Sequence, residues 1–187
     1  MQNIFKKLIS TLFIISIASG VSMANDKTAD ITSSQCMILE LKYGEVTIKF
    51  RPDLAPNHVA RIIELANQGF YNGVVFHRVI PGFMAQTGDP TGTGSGGSGK
   101  KLKAEFSKEP HLRGTVSMAR ANSPDSADSQ FFIVYDTSHF LDGQYTVFGQ
   151  VTSGMEFVDL IKKGAKNNNG AVTDPDNIIS AKIVDCK

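Results

Sequence analysis

Residues 37–50 read MILELKYGEVTIKF, and the fold class follows from their period. Met37, Leu39 and Leu41 alternate with Ile38, Glu40 and Lys42. After Tyr43-Gly44, Val46, Ile48 and Phe50 alternate with Thr47 and Lys49. Side chains on a strand point to opposite faces in turn, so this period of two makes two strands, each with one buried face. The Tyr43-Gly44 turn joins them as an antiparallel hairpin.

Outward from the hairpin the period changes twice. Pro56 suits the first turn of a helix, Val59, Ile62, Ile63 and Ala66 follow at helical spacing, and Gly69 is placed to end it. A second helix is expected from Ser153. Glu156 would complete a capping box, Phe157, Leu160 and Ile161 would form the apolar face, and Gly164 would follow the last turn. Apolar runs at 74–80, 83–86, 115–119, 130–135, 146–151 and 178–184 read as short strands. Strands and helices do not alternate, which argues against a parallel βαβ sheet. The pattern predicts a mainly β protein: a closed eight-stranded antiparallel β-barrel capped by two α-helices. No internal repeat or second domain is visible.

The 187 residues suffice for one domain with a true core. The first 24 differ from the rest. Lys6 and Lys7 precede an apolar run from Leu8 to Ala18, and Ser22-Met23-Ala24 follows as a small-x-small site. That is the layout of a cleavable signal peptide, with an apolar run too short to cross a bilayer comfortably. Residues 25–35 are polar and read as a flexible leader, and 36–187 as the folded domain. Export places the protein in the periplasm or, as second choice, outside the cell. Without residues 1–24 the net charge passes from +1 to −1, since two Lys and no acid are lost. Such a balance is no footprint for nucleic acid or a membrane surface. The two cysteines, Cys36 and Cys186, bracket the domain. In an oxidising compartment they form a bridge; two separate buried thiols are the other reading.

The run GTGSGGSGKKL at 92–102 nearly spells a phosphate-binding loop. Lys101 stands where a magnesium-binding hydroxyl is needed, and no strand–glycine–helix order surrounds it. Its Ser-Gly-Gly-Ser-Gly stretch at 95–99 reads instead as a mobile surface loop, with Lys100 and Lys101 solvated. His58, His77, His111 and His139 lie at no metal-ligand spacing, so no metal or other cofactor is expected. There is no Gly-x-Ser-x-Gly elbow, which leaves a secreted hydrolase a remote reading.

Three dense segments remain: FHRVIPGFMAQTGD at 76–89, SQFFI at 129–133 and FLDGQYTVFG at 140–149. Each alone has a structural reading, with Arg78 as an ion-pair partner and Phe131 or Phe132 in the core. Together, in this order, they resemble the cyclophilin family of peptidyl-prolyl cis-trans isomerases, over about residues 36–187. The resemblance implies that Arg78 is the catalytic arginine and that Phe83, Met84, Phe132 and Leu141 wall a proline pocket. It implies that Gln86 and Gln130 orient the substrate backbone, and that Gly92 begins a Gly-Thr-Gly loop beside the groove. Ala119, Arg120 and Ala121 would form the edge that binds the substrate backbone. Phe140 stands where tight cyclosporin binders carry Trp, so weak cyclosporin binding is expected. Arg120 and Tyr145 replace the Asn and His of many eukaryotic members, as in bacterial ones. The implied partners are proline-containing exported polypeptides, met by a monomer. A proline-segment-binding chaperone without essential turnover is the alternative.

Overall fold

The computed structural model describes residues 34–186, so the signal peptide and nearly all of the leader lie outside the described residues. The chain forms β1 (Gln35–Leu41), β2 (Gly44–Phe50), α1 (Pro56–Asn67), β3 (Arg78–Ile80), β4 (Met84–Thr87), β5 (Thr115–Met118), β6 (Phe131–Val134), β7 (Val147–Ser153), α2 (Met155–Val158) and β8 (Ile178–Asp185). The strands make one antiparallel sheet in the order β3-β4-β6-β5-β7-β2-β1-β8. The hairpin at 37–50 is β1–β2, with Leu39 opposite Val46 and Met37 opposite Ile48. All four of these side chains are fully buried.

The ladder does not close. β3 and β8 stand at the two ends of the order. The expected strand at 74–80 is regular only over its last three residues. Before it, Val75 meets Asn177 in a single bridge, and Gly73 and Phe76 donate N–H to the carbonyls of Ile178 and Asp176. Irregular backbone therefore fills the gap, and the sheet is a curled half-barrel rather than a closed barrel.

Helix α1 buries Val59, Ile62, Leu65 and Ala66 against the core, while Ile63 is half-buried. No side chain caps it at Ala55. Glu105 does so from far along the chain, accepting the N–H groups of Asn57 and His58 at 3.1 and 3.0 Å. Two donors with no partner inside the helix are thereby satisfied. Helix α2 is a single turn. Ser153 is the last residue of β7, held opposite Thr47, so the expected capping box does not form and Gly154 takes the N-cap position. Val158 and Ile161 are buried, whereas Leu160 is exposed.

The apolar side chains fall into two groups. Phe131 and Ile133 enter the main core with Tyr71, Phe76 and Phe148. Phe132 and Val134, the alternate residues of the same strand, join Met84 and Leu141 in a second cluster on the other face.

Antiparallel pairing of β1 with β8 sets Gln35 opposite Asp185 and Cys36 opposite Val184, so Gln35 belongs to the sheet rather than to the leader. Cys36 and Cys186 are joined in a disulfide, with Cα atoms 5.2 Å apart and a sequence separation of 150. Constraining so long a loop in the unfolded chain stabilises the native state. The Cys36→Ser/Cys186→Ser double variant is expected to lose about 2–4 kcal/mol in urea denaturation. A midpoint equal to wild type, or two reactive thiols in the unfolded wild type, would contradict the bridge.

Candidate active site

Sheet register sets the site. Arg78 of β3 is opposite Gln86 of β4, Gln86 is opposite Phe132 of β6, and Phe132 is opposite Ser117 of β5. Directly paired residues project to the same face, so Arg78, Gln86 and Phe132 form one row on the outer face of the sheet. Met84, two residues before Gln86, shares that face.

A hollow of about 410 Å³ lies over this row. Arg78, Phe83, Met84, Gln86, Ala119, Arg120, Phe132, Phe140, Leu141 and Tyr145 line it, all singled out in the sequence, together with Gln144, which was not. Met84, Phe132 and Leu141 make a buried apolar floor, while Phe140 is 66% exposed at the rim. Phe83 packs on Phe140 at 5.3 Å between ring centroids, and Phe132 meets Tyr145 edge-on at 5.8 Å. The Arg120 guanidinium lies 4.7 Å over the Tyr145 ring.

An adjoining hollow shares Gln86, Ala119 and Arg120 and adds Ala121, Gln130 and the glycine loop. Gly92 lines neither hollow; Gly94, Gly96 and Gly97 do. Gly92 is set back against Val75, which a Cβ there would meet at 3.0 Å.

The polar groups form a chain. Arg78 Nη1 donates to Gln86 Oε1 at 3.0 Å, and Gln86 Nε2 donates to Gln130 Oε1 at 2.9 Å. Gln130 Nε2 donates to the carbonyls of Gly94 and Gly96. On its other side Arg78 donates from Nε and Nη2 to the carbonyl and the side-chain oxygen of Asn169, both at 3.0 Å. Desolvation lowers the Arg78 pKa from its ordinary value. Asn169 stands in a polar run, Lys166 to Asn169, that carries no periodic or motif signal.

The glycine loop is tied down, contrary to the expectation of a mobile surface loop. The fully buried Asp89 carboxylate accepts the N–H groups of Thr91, Gly94 and Gly96 at 2.7, 2.6 and 3.1 Å. Burial by itself would raise the pKa of Asp89; these hydrogen bonds outweigh it and hold the value at about 2. Asp128 accepts the N–H groups of Ser98 and Gly99. Several N–H groups that a phosphate loop would turn outward are thus bound to the protein's own carboxylates. Lys100 and Lys101 are exposed, as expected.

His111 supports the floor from behind. Its ring stacks on Phe132 at 6.3 Å. Its Nδ1 lies 2.9 Å from Asp142 Oδ1 and its Nε2 lies 2.9 Å from Ser117 Oγ. This has the order of a hydrolase triad, but Ser117 and His111 are fully buried and no substrate reaches the hydroxyl. The chain therefore orients the floor and does not supply a nucleophile.

A family model described as "Cyclophilin type peptidyl-prolyl cis-trans isomerase/CLD" matches residues 36–183. A probable peptidyl-prolyl cis-trans isomerase of Brucella abortus is 58% identical over 159 residues, which cover 79% of this chain and 81% of that protein. The chain belongs to the cyclophilin family of peptidyl-prolyl cis-trans isomerases. Peptidyl-prolyl cis-trans isomerase B of Bacillus subtilis is 48% identical to this cyclophilin over 123 residues, covering 65% of this chain and 85% of that one. A crystal structure of a cyclophilin-type isomerase from Cryptosporidium parvum matches with a TM-score of 0.74 at 29% identity, over 82% of this chain and 99% of that one. A second structure of that protein, in the presence of the dipeptide Ala-Pro, matches with a TM-score of 0.71 at 29% identity, over 81% of this chain and 99% of that one.

Two histidines give this cyclophilin a pH-dependent stability. Desolvation lowers the pKa of His77 and, against the pull of Asp142, that of His111. The unfolded chain then binds protons that the native state refuses. Their contribution is complete above the unfolded histidine value of about 6.5 and is lost as pH falls below it. The urea midpoint is expected to drop between pH 7.5 and 5.5. Equal midpoints would show that neither histidine resists protonation.

Proposed function

We propose that this cyclophilin accelerates X-Pro isomerisation in exported polypeptides, with Arg78 as the group that lowers the barrier. The observation that carries the mechanism is the placement of Arg78 at the edge of a hollow floored by Met84, Phe132 and Leu141. The X-Pro amide is a partial double bond whose rotation barrier is about 18–20 kcal/mol. No bond is broken, so the work consists of stabilising the twisted amide more than either planar isomer. On twisting, the proline nitrogen regains a lone pair. A guanidinium directed at that nitrogen favours the twisted state, and it stays charged at any working pH.

The remaining roles follow from chemistry. Phe83, Met84, Phe132 and Leu141 hold the proline ring while the preceding carbonyl turns. They also exclude water, which strengthens the field of Arg78. Gln86 and Gln130 orient the substrate backbone, and Ala119, Arg120 and Ala121 offer it an edge. A gain of about 7 kcal/mol would accelerate the exchange by roughly five orders of magnitude. Phe140 at the rim lacks an indole N–H, so cyclosporin binds weakly. The protein acts as a monomer. The signal-like start at 1–24 supports export to the periplasm, and the Cys36–Cys186 disulfide suits an oxidising compartment.

Cis/trans exchange of a prolyl peptide tests the mechanism. Wild type is expected to exceed the uncatalysed rate by several orders of magnitude, and Arg78→Ala to lose about 100-fold in kcat/KM. Wild type at the uncatalysed rate removes the proposed activity; Arg78→Ala at the wild-type rate removes the role of Arg78. Export has its own check. The mass of the protein recovered from a periplasmic extract is expected to place its N-terminus at Asn25, and an intact Met1 in that fraction would refute cleavage.

A further inference from the structure

Among the described residues, Arg51, Arg61 and Arg113 each pair with a carboxylate. Arg120 donates to the carbonyls of Gln144, Ala121 and Asn122. Arg78 is likewise held by neutral oxygens, but with side-chain acceptors among them: Gln86 Oε1, the Asn169 carbonyl and Asn169 Oδ1. Asn169 thus engages two of the three guanidinium nitrogens, and from the side opposite Gln86.

The loop that presents Asn169 is built for this position. Asn169 has φ of 50°, in the left-handed region that Asn tolerates better than most residues. Gly170 follows with φ of 75°, so close to β3 that a Cβ there would lie 2.4 Å from Ile80. Its carbonyl accepts the Val79 N–H at 2.7 Å, and the Gly164 N–H donates to the Val79 carbonyl at 2.9 Å. The loop is therefore bonded to the residue next to Arg78, and the position of Asn169 relative to the guanidinium is set by backbone contacts.

We propose that Asn169 is a positioning residue for Arg78, which fixes the guanidinium through neutral oxygens and so leaves its charge uncompensated for the twisted amide. A carboxylate in the same place would hold the side chain equally well but would cancel part of the field that the reaction uses. This rests on the reading of Arg78 as the catalytic group.

Two substitutions test it. Asn169→Gly keeps the left-handed backbone and the carbonyl but removes the side-chain acceptor. Asn169→Asp keeps an acceptor of the same shape and adds a negative charge. Both are expected to lower kcat by about three- to tenfold with KM within about twofold of wild type, because orientation and field act on the transition state. Added salt is expected to narrow the deficit of Asn169→Asp, since the partly exposed charge is screened, and to leave that of Asn169→Gly unchanged. A purely structural loop residue would show neither the selective loss in kcat nor the split in salt response. Wild-type kcat in either variant, or a salt response that does not separate them, overturns the proposal. If Arg78→Ala is itself as active as wild type, the reading of Arg78 has failed; if it is inactive while the Asn169 variants are normal, the positioning role alone has failed.

Discussion

Phe131 and Phe132 are neighbours on β6 and must point to opposite faces of the sheet, and the rest of the molecule is arranged around that constraint. Phe131 helps to fill the main core; Phe132 becomes the floor of the hollow. The same alternation runs through β4, where Ala85 goes inward and Met84 and Gln86 go outward. A one-residue slip of β4 against β6 would turn Gln86 inward and Ala85 outward. The packing that stabilises the sheet therefore also aligns the site, and Arg78 is carried into place by its pairing with Gln86.

The site holds little titratable chemistry, which suits a reaction that moves no proton. Its two cations, Arg78 and Arg120, are held by amides, carbonyls and aromatic rings rather than by acids. The buried Asp89 and three half-buried carboxylates, Glu105, Asp128 and Asp142, are used elsewhere. Asp89 and Asp128 bind the N–H groups of the glycine loop, and Glu105 caps α1. Asp142 holds His111 behind the floor. Between the end of β4 and the start of β5 the chain runs from residue 88 to 114 without a regular strand or helix. Backbone donors in such a stretch need partners, and these acids supply several of them. The hollow next to the Arg78 site is formed by a segment organised in this way, and Gln130 connects it to Arg78 through Gln86.

Local pattern was legible. The hairpin at 37–50 and helix α1 follow from periodicity. Short apolar runs marked the other six strands, although the run at 74–80 is regular only at Arg78–Ile80, and the segments at 76–89, 129–133 and 140–149 pointed to the family. Ten of the residues named for the groove line one hollow, and Ala121 and Gln130 line the next. Less legible were features set by distant partners. Ser153 and Glu156 have the spacing of a capping box, but pairing with β2 draws Ser153 into β7. The glycine run offered no sign that Asp89 and Asp128 would bind it.

In the hairpin and α1 the sequence by itself determined which face turns to the core, because a period of two or of 3.6 is a local property of the backbone. It left open which of Phe131 and Phe132 goes inward, and the groove residues were implied by the family resemblance. Tertiary structure alone decided that the sheet stays open between β3 and β8, since short β3 and irregular residues before it meet the end of the chain through isolated contacts. It decided between a bridge and two free thiols by pairing β1 with β8. It also brought Asn169 to Arg78 across 91 residues of sequence. These are contacts between segments remote in the chain, and their partners are chosen by packing and by the need to satisfy buried polar groups, which no local period records.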